Sequence, residues 1–277
     1  MAILKRSIYK TPAELRLMVR PGLVTAASLK AVRAAIRPGI TTLELDRIAE
    51  QTILGLGGRS NFQLVDGYRH TICASVNDEV VHGIPNERLL QPGDILSIDD
   101  GAEVDGWNGD SAFTVVLADA GRPAEVAARQ RLSDVTEGSL WHGIAALSKA
   151  RHLNEVGTAI EEYIDAQGEY GILTDYIGHG IGRTMHEAPP VFNYRVRAKG
   201  PEVKPGLVVA IEPMVTLGTT DTIIGADDWT VSTADGSMAS HWEHSIAVHA
   251  DGIWVLTAED GGASGLLPLG ITPVPIP

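Results

Sequence analysis

Two stretches of this chain follow one pattern: Gln91-Pro92-Gly93-Asp94-Ile95-Leu96-Ser97-Ile98-Asp99 and Lys204-Pro205-Gly206-Leu207-Val208-Val209-Ala210-Ile211-Glu212. In each, a Pro-Gly turn opens an apolar run of strand length, and the run ends in a carboxylate seven residues after the proline. Upstream, His82-Gly83-Ile84 reads against His179-Gly180-Ile181. Downstream, Gly109-Asp110 leads into residues 113–116 as Trp242-Glu243 leads into 246–248. Pro-Gly turns are common, but the same three features in the same order in both halves point to a long internal repeat. The expected architecture is one α+β domain with two similar halves facing each other. Each half would supply acids and a histidine to a shared central site.

The elements between these anchors fit that plan. Thr11-Pro12-Ala13-Glu14 places Thr at an N-cap, Pro at the first helical position and Glu at the third. Leu15, Met18 and residues 23–32 then recur at helical spacing as far as Pro38-Gly39. Thr41-Thr42-Leu43-Glu44 starts a second helix in the same way, ending near Leu54 and closed by residues 55–58. Strands are expected at 71–76, 94–99 and 112–117, then helices at 123–150 and 154–170. Further strands are expected at 208–212, 230–233, 242–248 and 252–256. No Pro/Ser/Gly linker or charge block divides the chain, so residues 1–260 read as a single catalytic domain. Residues 261–277, with four prolines, read as a tail that is extended and loosely packed or mobile.

Charge and cysteine content narrow the chemistry. Lys plus Arg number 22 against 35 Asp plus Glu, a net charge of −13. Such a chain is unsuited to nucleic acid or an anionic membrane and suited to metal ions or a protonated peptide amine. No run approaches the ~20 apolar residues of a membrane span. The segment Met1-Ala2-Ile3-Leu4-Lys5-Arg6 lacks the apolar core of a secretory signal. The single cysteine, Cys73, excludes a disulfide framework and a Cys-based zinc cage, which fits a reducing cytoplasm. Its neighbours Ile72 and Ala74 assign it to packing.

Four acids stand where solvated acids would be out of place. Asp99 ends an apolar run, and Asp110 opens another 11 residues later, after the turn Gly106-Trp107-Asn108-Gly109. A hairpin across that turn would set the two side by side. Glu212 in Ala210-Ile211-Glu212-Pro213 and Glu243 in Trp242-Glu243-His244 form the second pair. One such acid reads as a turn cap; four in matched positions read as a site, because unpaired buried charge is costly. Converging carboxylates repel unless cations neutralise them, and two divalent metals would do so. The stretch Gly178-His179-Gly180-Ile181-Gly182-Arg183-Thr184-Met185-His186-Glu187-Ala188-Pro189 puts two histidines in a glycine-rich loop. It carries no phosphate-loop or dinucleotide signature, and no Gly-x-Ser-x-Gly elbow occurs in the chain.

In order and approximate spacing, Asp99, Asp110, His179, Glu212 and Glu243 resemble the five metal ligands of the type I methionine aminopeptidases. Val76-Asn77-Asp78-Glu79-Val80-Val81-His82-Gly83-Ile84-Pro85 and the Gly-His-Gly-Ile-Gly-Arg run are distinctive of the same group, and the resemblance spans roughly residues 10–258. It implies the pita-bread (creatinase/aminopeptidase) fold, two pseudo-symmetric halves around a central antiparallel sheet. It implies two divalent metal ions (Co, Mn or Fe) sharing a bridging water or hydroxide. Asp99 would bind one ion, His179 and Glu212 the other, and Asp110 and Glu243 both. Glu212 would double as proton acceptor, His186 would meet the scissile carbonyl or oxyanion, and His82 the peptide nitrogen. The methionine pocket would comprise Phe62, Val65, Tyr68, Cys73, Met185 and Trp229. The implied substrate is the N-terminus of a peptide or nascent chain with a small second residue. The expected setting is a cytoplasmic monomer with no nucleic-acid or membrane partner, and with transient ribosome contact left open.

Some positions depart from that family. Relatives read approximately Tyr-His-Gly-Phe-Pro where this chain has Val65-Asp66-Gly67-Tyr68-Arg69. Met185 stands where Phe is frequent, His241 where Gln is usual and Asn108 where His is common. These bear on the strictness of methionine selectivity. The rival readings are an aminopeptidase with another first-residue preference, an Xaa-Pro peptidase, and a non-catalytic peptide-binding relative. Xaa-Pro relatives usually carry an extra N-terminal domain, whereas 98 residues precede Asp99 here. Binding-type relatives lose metal ligands, and all five positions are intact.

Overall fold

The structure is a computed structural model that describes residues 7–277; the Met1 to Arg6 segment considered above lies outside the described residues. Helix α1 (Pro12–Ala35) begins at the expected capping box. The Thr11 hydroxyl accepts from the Glu14 N–H, and the Glu14 carboxylate accepts from the Thr11 N–H at 2.8 Å. Helix α2 (Thr42–Gly55) repeats the device with Thr41 and Glu44. α1 continues through Pro21, whose carbonyl accepts from the Thr25 hydroxyl at 3.0 Å. α1 and α2 cover a sheet made of strands Ile72–Val76, Ile95–Val104 and Trp107–Val116 with the short strand Arg59–Ser60. Leu29, Val32, Leu45, Ala49, Ile72, Leu96, Ile98 and Phe113 interlock between helices and sheet.

The second half mirrors this plan. Helices α3 (Pro123–Leu147) and α4 (Glu155–Gln167) cover a five-stranded sheet ordered Gly252–Val255, His244–His249, Val208–Ile211, Gly178–Gly180, Glu187–Val191. Leu140, Ile144, Ile160, Val209, Ile211 and Ile246 form its core. Two three-stranded sheets flank the pair, and one of them sets Val231–Thr233 against Glu79–Val81. The internal repeat is visible in hydrogen bonds. Gly93 N–H donates to Leu117 O at 3.0 Å and Gly206 N–H to Val248 O at 2.8 Å. Leu117 N–H donates to Asp94 O and Val248 N–H to Leu207 O, both at 2.8 Å. Both glycines sit at positive φ, +89° and +100°.

The two large sheets meet at one antiparallel bridge between Ala112 and Glu243, each five residues before the equivalent Leu117 and Val248. Glu243 N–H donates to Ala112 O at 3.0 Å and Ala112 N–H to Glu243 O at 3.3 Å. Equivalent residues paired to each other place the local two-fold axis between them. The expected central sheet is therefore two sheets joined at this point. Close packing of α1 on the first sheet needs Gly109, since a Cβ there would lie 2.8 Å from the Gly22 nitrogen.

Several expectations are corrected. The Ile95–Val104 and Trp107–Val116 strands are ten residues each, and the turn joining them is only Asp105-Gly106, at φ +53° and +78°. Trp107, Asn108 and Gly109 are strand residues, because a two-residue turn with both φ positive matches the strand twist. The glycine-rich His179 loop is a hairpin of strands Gly178–Gly180 and Glu187–Val191. Its glycines serve close packing: a Cβ on Gly180 would lie 2.2 Å from Ala188 O. The C-terminal segment is packed as well as extended. Leu266 is fully buried in the second core, Val274 N–H donates to Ile253 O at 3.0 Å, and Arg16 donates to Pro277 O at 3.0 Å. Two of its prolines, Pro273 and Pro275, flank Val274, so the chain makes its edge contact through one of the few N–H groups it has. No helix among the described residues is long and apolar enough to cross a membrane.

Thr41→Ala removes an acceptor for a helix-end N–H and is expected to cost about 1 kcal/mol. For a domain of this size that is a fall of roughly 2–4 °C in Tm. Calorimetry should show Thr41→Ser near the parent; an unchanged Tm for Thr41→Ala would mean the cap adds nothing.

Candidate functional site

The hairpin register brings the first acid pair together. Asp99 pairs with Ala112 and Gly101 with Asp110, so Asp99 and Asp110 are diagonal neighbours on one face, with Asp99 in mid-strand rather than at a strand end. Glu212 directly follows the Val208–Ile211 strand and Glu243 directly precedes His244–His249. Because His244 pairs with Ile211, these acids leave adjacent strands at the same level. The Ser111 hydroxyl donates to Glu243 O at 2.6 Å, and the Ser245 hydroxyl donates to Asp110 O at 2.8 Å, tying each acid's backbone to the opposite half.

His179 reaches in from the second hairpin. Its Nδ1–H donates to Gly180 O at 3.0 Å, which leaves Nε2 as the nitrogen with a free lone pair. Nε2 lies 3.4 Å from Glu212 Oε1 and 3.8 Å from Asp110 Oδ2. Asp110, His179 and Glu243 each present a ligand atom within 4.8 Å of the others. Asp99 and Glu212 line the same cavity of about 150 Å³.

Burial governs the protonation of this group. Asp99 is pushed up to about 8 by burial and then by the charge of Asp100. Asp110, Glu212 and Glu243 are all raised well above the carboxylate range, first by burial and then by one another and Asp99. Burial lowers His179 and His82 to about 4, with the neighbouring His186 adding to both, and lowers His186 itself. These imidazoles are neutral at physiological pH.

The remaining wall is formed by the other residues singled out from the sequence. His82, Phe62, Val65, Tyr68, Cys73, Met185, His186 and Trp229 line the same cavity, together with Val81. Tyr68 is central to the apolar end. Its ring meets Trp229 edge-on at 5.1 Å and Phe62 at 6.2 Å. Its hydroxyl donates to Ile72 O at 2.6 Å and lies 3.2 Å from Cys73 Sγ. The Cys73 thiol is raised by burial and then by Asp99, so Cys73 is an inert wall residue. At the polar end His186 stands edge-on to His179 at 4.3 Å, and His82 to Tyr176 at 5.9 Å. His82 is held at φ +59°, an uncommon conformation for a side-chain-bearing residue.

Several contributors were not evident from sequence. Asp100 is fully buried and pushed up to about 7 by burial, and neither carboxylate oxygen has a partner. Asn193 donates through Nδ2 to Glu212 O at 3.0 Å. His241, noted only as a departure, is buried with Nε2 3.7 Å from Glu212 Oε2. The adjacent acid pair Asp99-Asp100 was a readable signal for the first; nothing local marks Asn193.

A divalent cation fits this donor set. Asp99 Oδ1, Asp110 Oδ1 and Glu243 Oε1 are buried with no protein donor on them. Four carboxylates and one neutral imidazole are hard, oxygen-rich ligands for a first-row divalent ion.

Residues 16–250 match metallopeptidase family M24. The chain is 47% identical over 254 residues to a Mycobacterium tuberculosis protein named methionine aminopeptidase 1, covering 90% of this chain and 94% of that one. It is 41% identical over 250 residues to the Bacillus subtilis methionine aminopeptidase 1, covering 90% and 98%. The crystal structure of a methionine aminopeptidase from Thermotoga maritima superposes with a TM-score of 0.84 at 34% identity, covering 91% of this chain and 99% of that one. A prolidase from Pyrococcus furiosus shares the fold at a TM-score of 0.69 and 18% identity, and this chain covers 65% of it.

Metal should stabilise the fold strongly, because the folded state alone assembles the donors. At free Mn(II) a thousandfold above Kd, the gain is about 4 kcal/mol over chelator-treated protein. Thermal unfolding should show a Tm that rises with metal, and Glu243→Gln should shrink that rise. A Tm indifferent to metal would count against the cluster as a metal site.

Proposed function

The chain belongs to metallopeptidase family M24, among the type I methionine aminopeptidases, and from that premise we propose how its own residues carry the reaction. It is a metal-dependent hydrolase that removes N-terminal methionine from polypeptides. The observation that carries the residue assignment is the convergence of five donors and two neutral histidines on one cavity with an apolar end.

Asp99, Asp110, His179, Glu212 and Glu243 would hold two ions, with Asp110 and Glu243 shared, and with Mn, Fe or Co suited to the donors. The bound metal supplies Lewis acidity and a water of lowered pKa at neutral pH. His179 offers Nε2 because Gly180 O holds the proton on Nδ1. Glu212, ionised once the ions are bound, would accept the proton that the attacking water loses and pass it toward the departing amine. His186, neutral, donates an N–H to the carbonyl oxygen as charge develops there. His82, neutral, meets the peptide nitrogen of the scissile bond and can accept from its N–H.

Phe62, Val65, Tyr68, Cys73, Met185, Trp229 and Val81 enclose the methionine side chain. The free amine of the substrate lies among the acids, where its positive charge is favoured and an acylated interior peptide has no counterpart. This makes the reaction exopeptidic. The substrates are nascent chains with a small second residue, met in the cytoplasm by a monomeric enzyme. The altered segment 65–69 keeps an aromatic wall through Tyr68 against Trp229, which supports a methionine-sized first residue.

A tripeptide panel varying only the first residue should give methionine the highest kcat/KM. Equal rates for leucine or proline would refute the specificity. Glu212→Gln and His179→Ala should lose at least about a thousandfold in kcat while remaining folded by circular dichroism. His186→Ala should lower kcat about a hundredfold or more with bound metal unchanged by elemental analysis. Equal loss of metal and turnover would make His186 a structural residue.

A further inference from the structure

Lys10 is the only buried lysine among the described residues. It lies far from the metal ligands in sequence, just before the α1 capping box, and its N–H donates to Gly206 O at 2.7 Å. Its ammonium contacts Glu187 Oε2 at 2.8 Å, with side-chain exposures of 6% and 23%. Glu187 is the residue next to His186. Its other oxygen accepts from Thr184 N–H at 3.0 Å, and the Thr184 hydroxyl donates to His186 O at 3.0 Å. Gly182 N–H closes the turn onto Thr184 O at 3.1 Å.

This 182–187 turn carries Met185 and His186, and its other attachments come from the long hairpin. Asn108 donates to Gly182 O through both its N–H at 2.9 Å and Nδ2 at 3.0 Å. The Arg183 guanidinium lies 4.0 Å over the Trp107 ring. These hold the base of the turn. Glu187 holds the end that bears His186, and Lys10 is its charge partner. The fit leaves no slack, since a Cβ on Gly182 would lie 2.7 Å from Lys10 Cε and 2.9 Å from Glu187 Oε2.

We propose that Lys10 is a positioning residue for the reaction: paired with Glu187, it holds the 182–187 turn in the shape that presents His186 and Met185 to the cavity. The inference rests on the role given to His186 above. A carboxylate left without its partner in this half-buried place turns toward water, and the turn that it anchors follows. A catalytic group displaced by about 1 Å costs on the order of a hundredfold in rate.

The test uses metal-loaded full-length protein and the tripeptide Met-Ala-Ser. Lys10→Met should lower kcat about tenfold to a hundredfold with metal content at the parent level. Hydrogen exchange at residues 182–187 should quicken. Glu187→Gln keeps an acceptor for Thr184 N–H, removes the charge, and should reproduce the effect if Lys10→Met does not fold. The double variant should be no worse than either single one. A lowered Tm with kcat and exchange at 182–187 unchanged, in either folded variant, overturns the proposal, as does a change in only one of the two. An inactive parent enzyme would instead overturn the functional reading.

Discussion

Four carboxylates share one buried cavity, and their mutual repulsion is the constraint to which the fold answers. Two like charges about 4 Å apart repel by about 4 kcal/mol at an effective dielectric of about 20. Burial adds a desolvation cost for each, which is why all four are driven above the usual carboxylate range. Without a cation the cluster holds protons. With divalent ions the same oxygens ionise and the repulsion becomes attraction. Keeping such groups together before an ion arrives demands a scaffold that does not relax. Here each acid is on or beside a sheet strand, and the serines Ser111 and Ser245 cross-link the acids' own backbones between halves.

That scaffold explains why two-fold symmetry suits this chemistry. The axis passes by the Ala112–Glu243 bridge, so equivalent strands deliver carboxylates to it from both sides. Symmetry places the acids; departures from symmetry differentiate them. The second half sends His179 into the cluster from a hairpin strand, while the first half's matching motif leaves His82 at the cavity wall with φ +59°. On the proposed assignment, one half supplies an imidazole for metal and the other an imidazole for substrate.

Much of this arrangement was legible because it rests on local chemistry repeated at a distance. Two Thr-x-x-Glu boxes set two helix starts, and two Pro-Gly turns set two strand starts. The thirteen site residues named from sequence and resemblance lie around one cavity. What escaped depended on neighbours far along the chain. Trp107 to Gly109 looked like turn because glycine and asparagine disfavour strands, yet the Asp105-Gly106 turn left them to pair. The prolines of the C-terminal segment suggested looseness, while Val274 supplies an N–H that docks on Ile253 O and a carbonyl that accepts from His249. Asn193 and Lys10 carried no local signal at all, since each acts on a partner brought close only by folding.

On the proposed assignment, the neutral histidines bear on how such a site distinguishes a chain end from a chain interior. The acids attract a cation into a cavity lined at its apolar end by Tyr68, Phe62 and Trp229. In the proposed reaction a substrate enters by its first residue, with the amine drawn toward the carboxylates. His82 and His186 carry no charge at neutral pH, so they neither repel that ammonium nor compete with metal for the acids. In the proposed reaction they are free to hydrogen-bond the scissile peptide where it crosses between the apolar end and the mouth. A protonated histidine in either place would oppose the approaching amine. The burial that lowers both imidazoles thus belongs to the same design that raises the four carboxylates, and one low-dielectric cavity sets both.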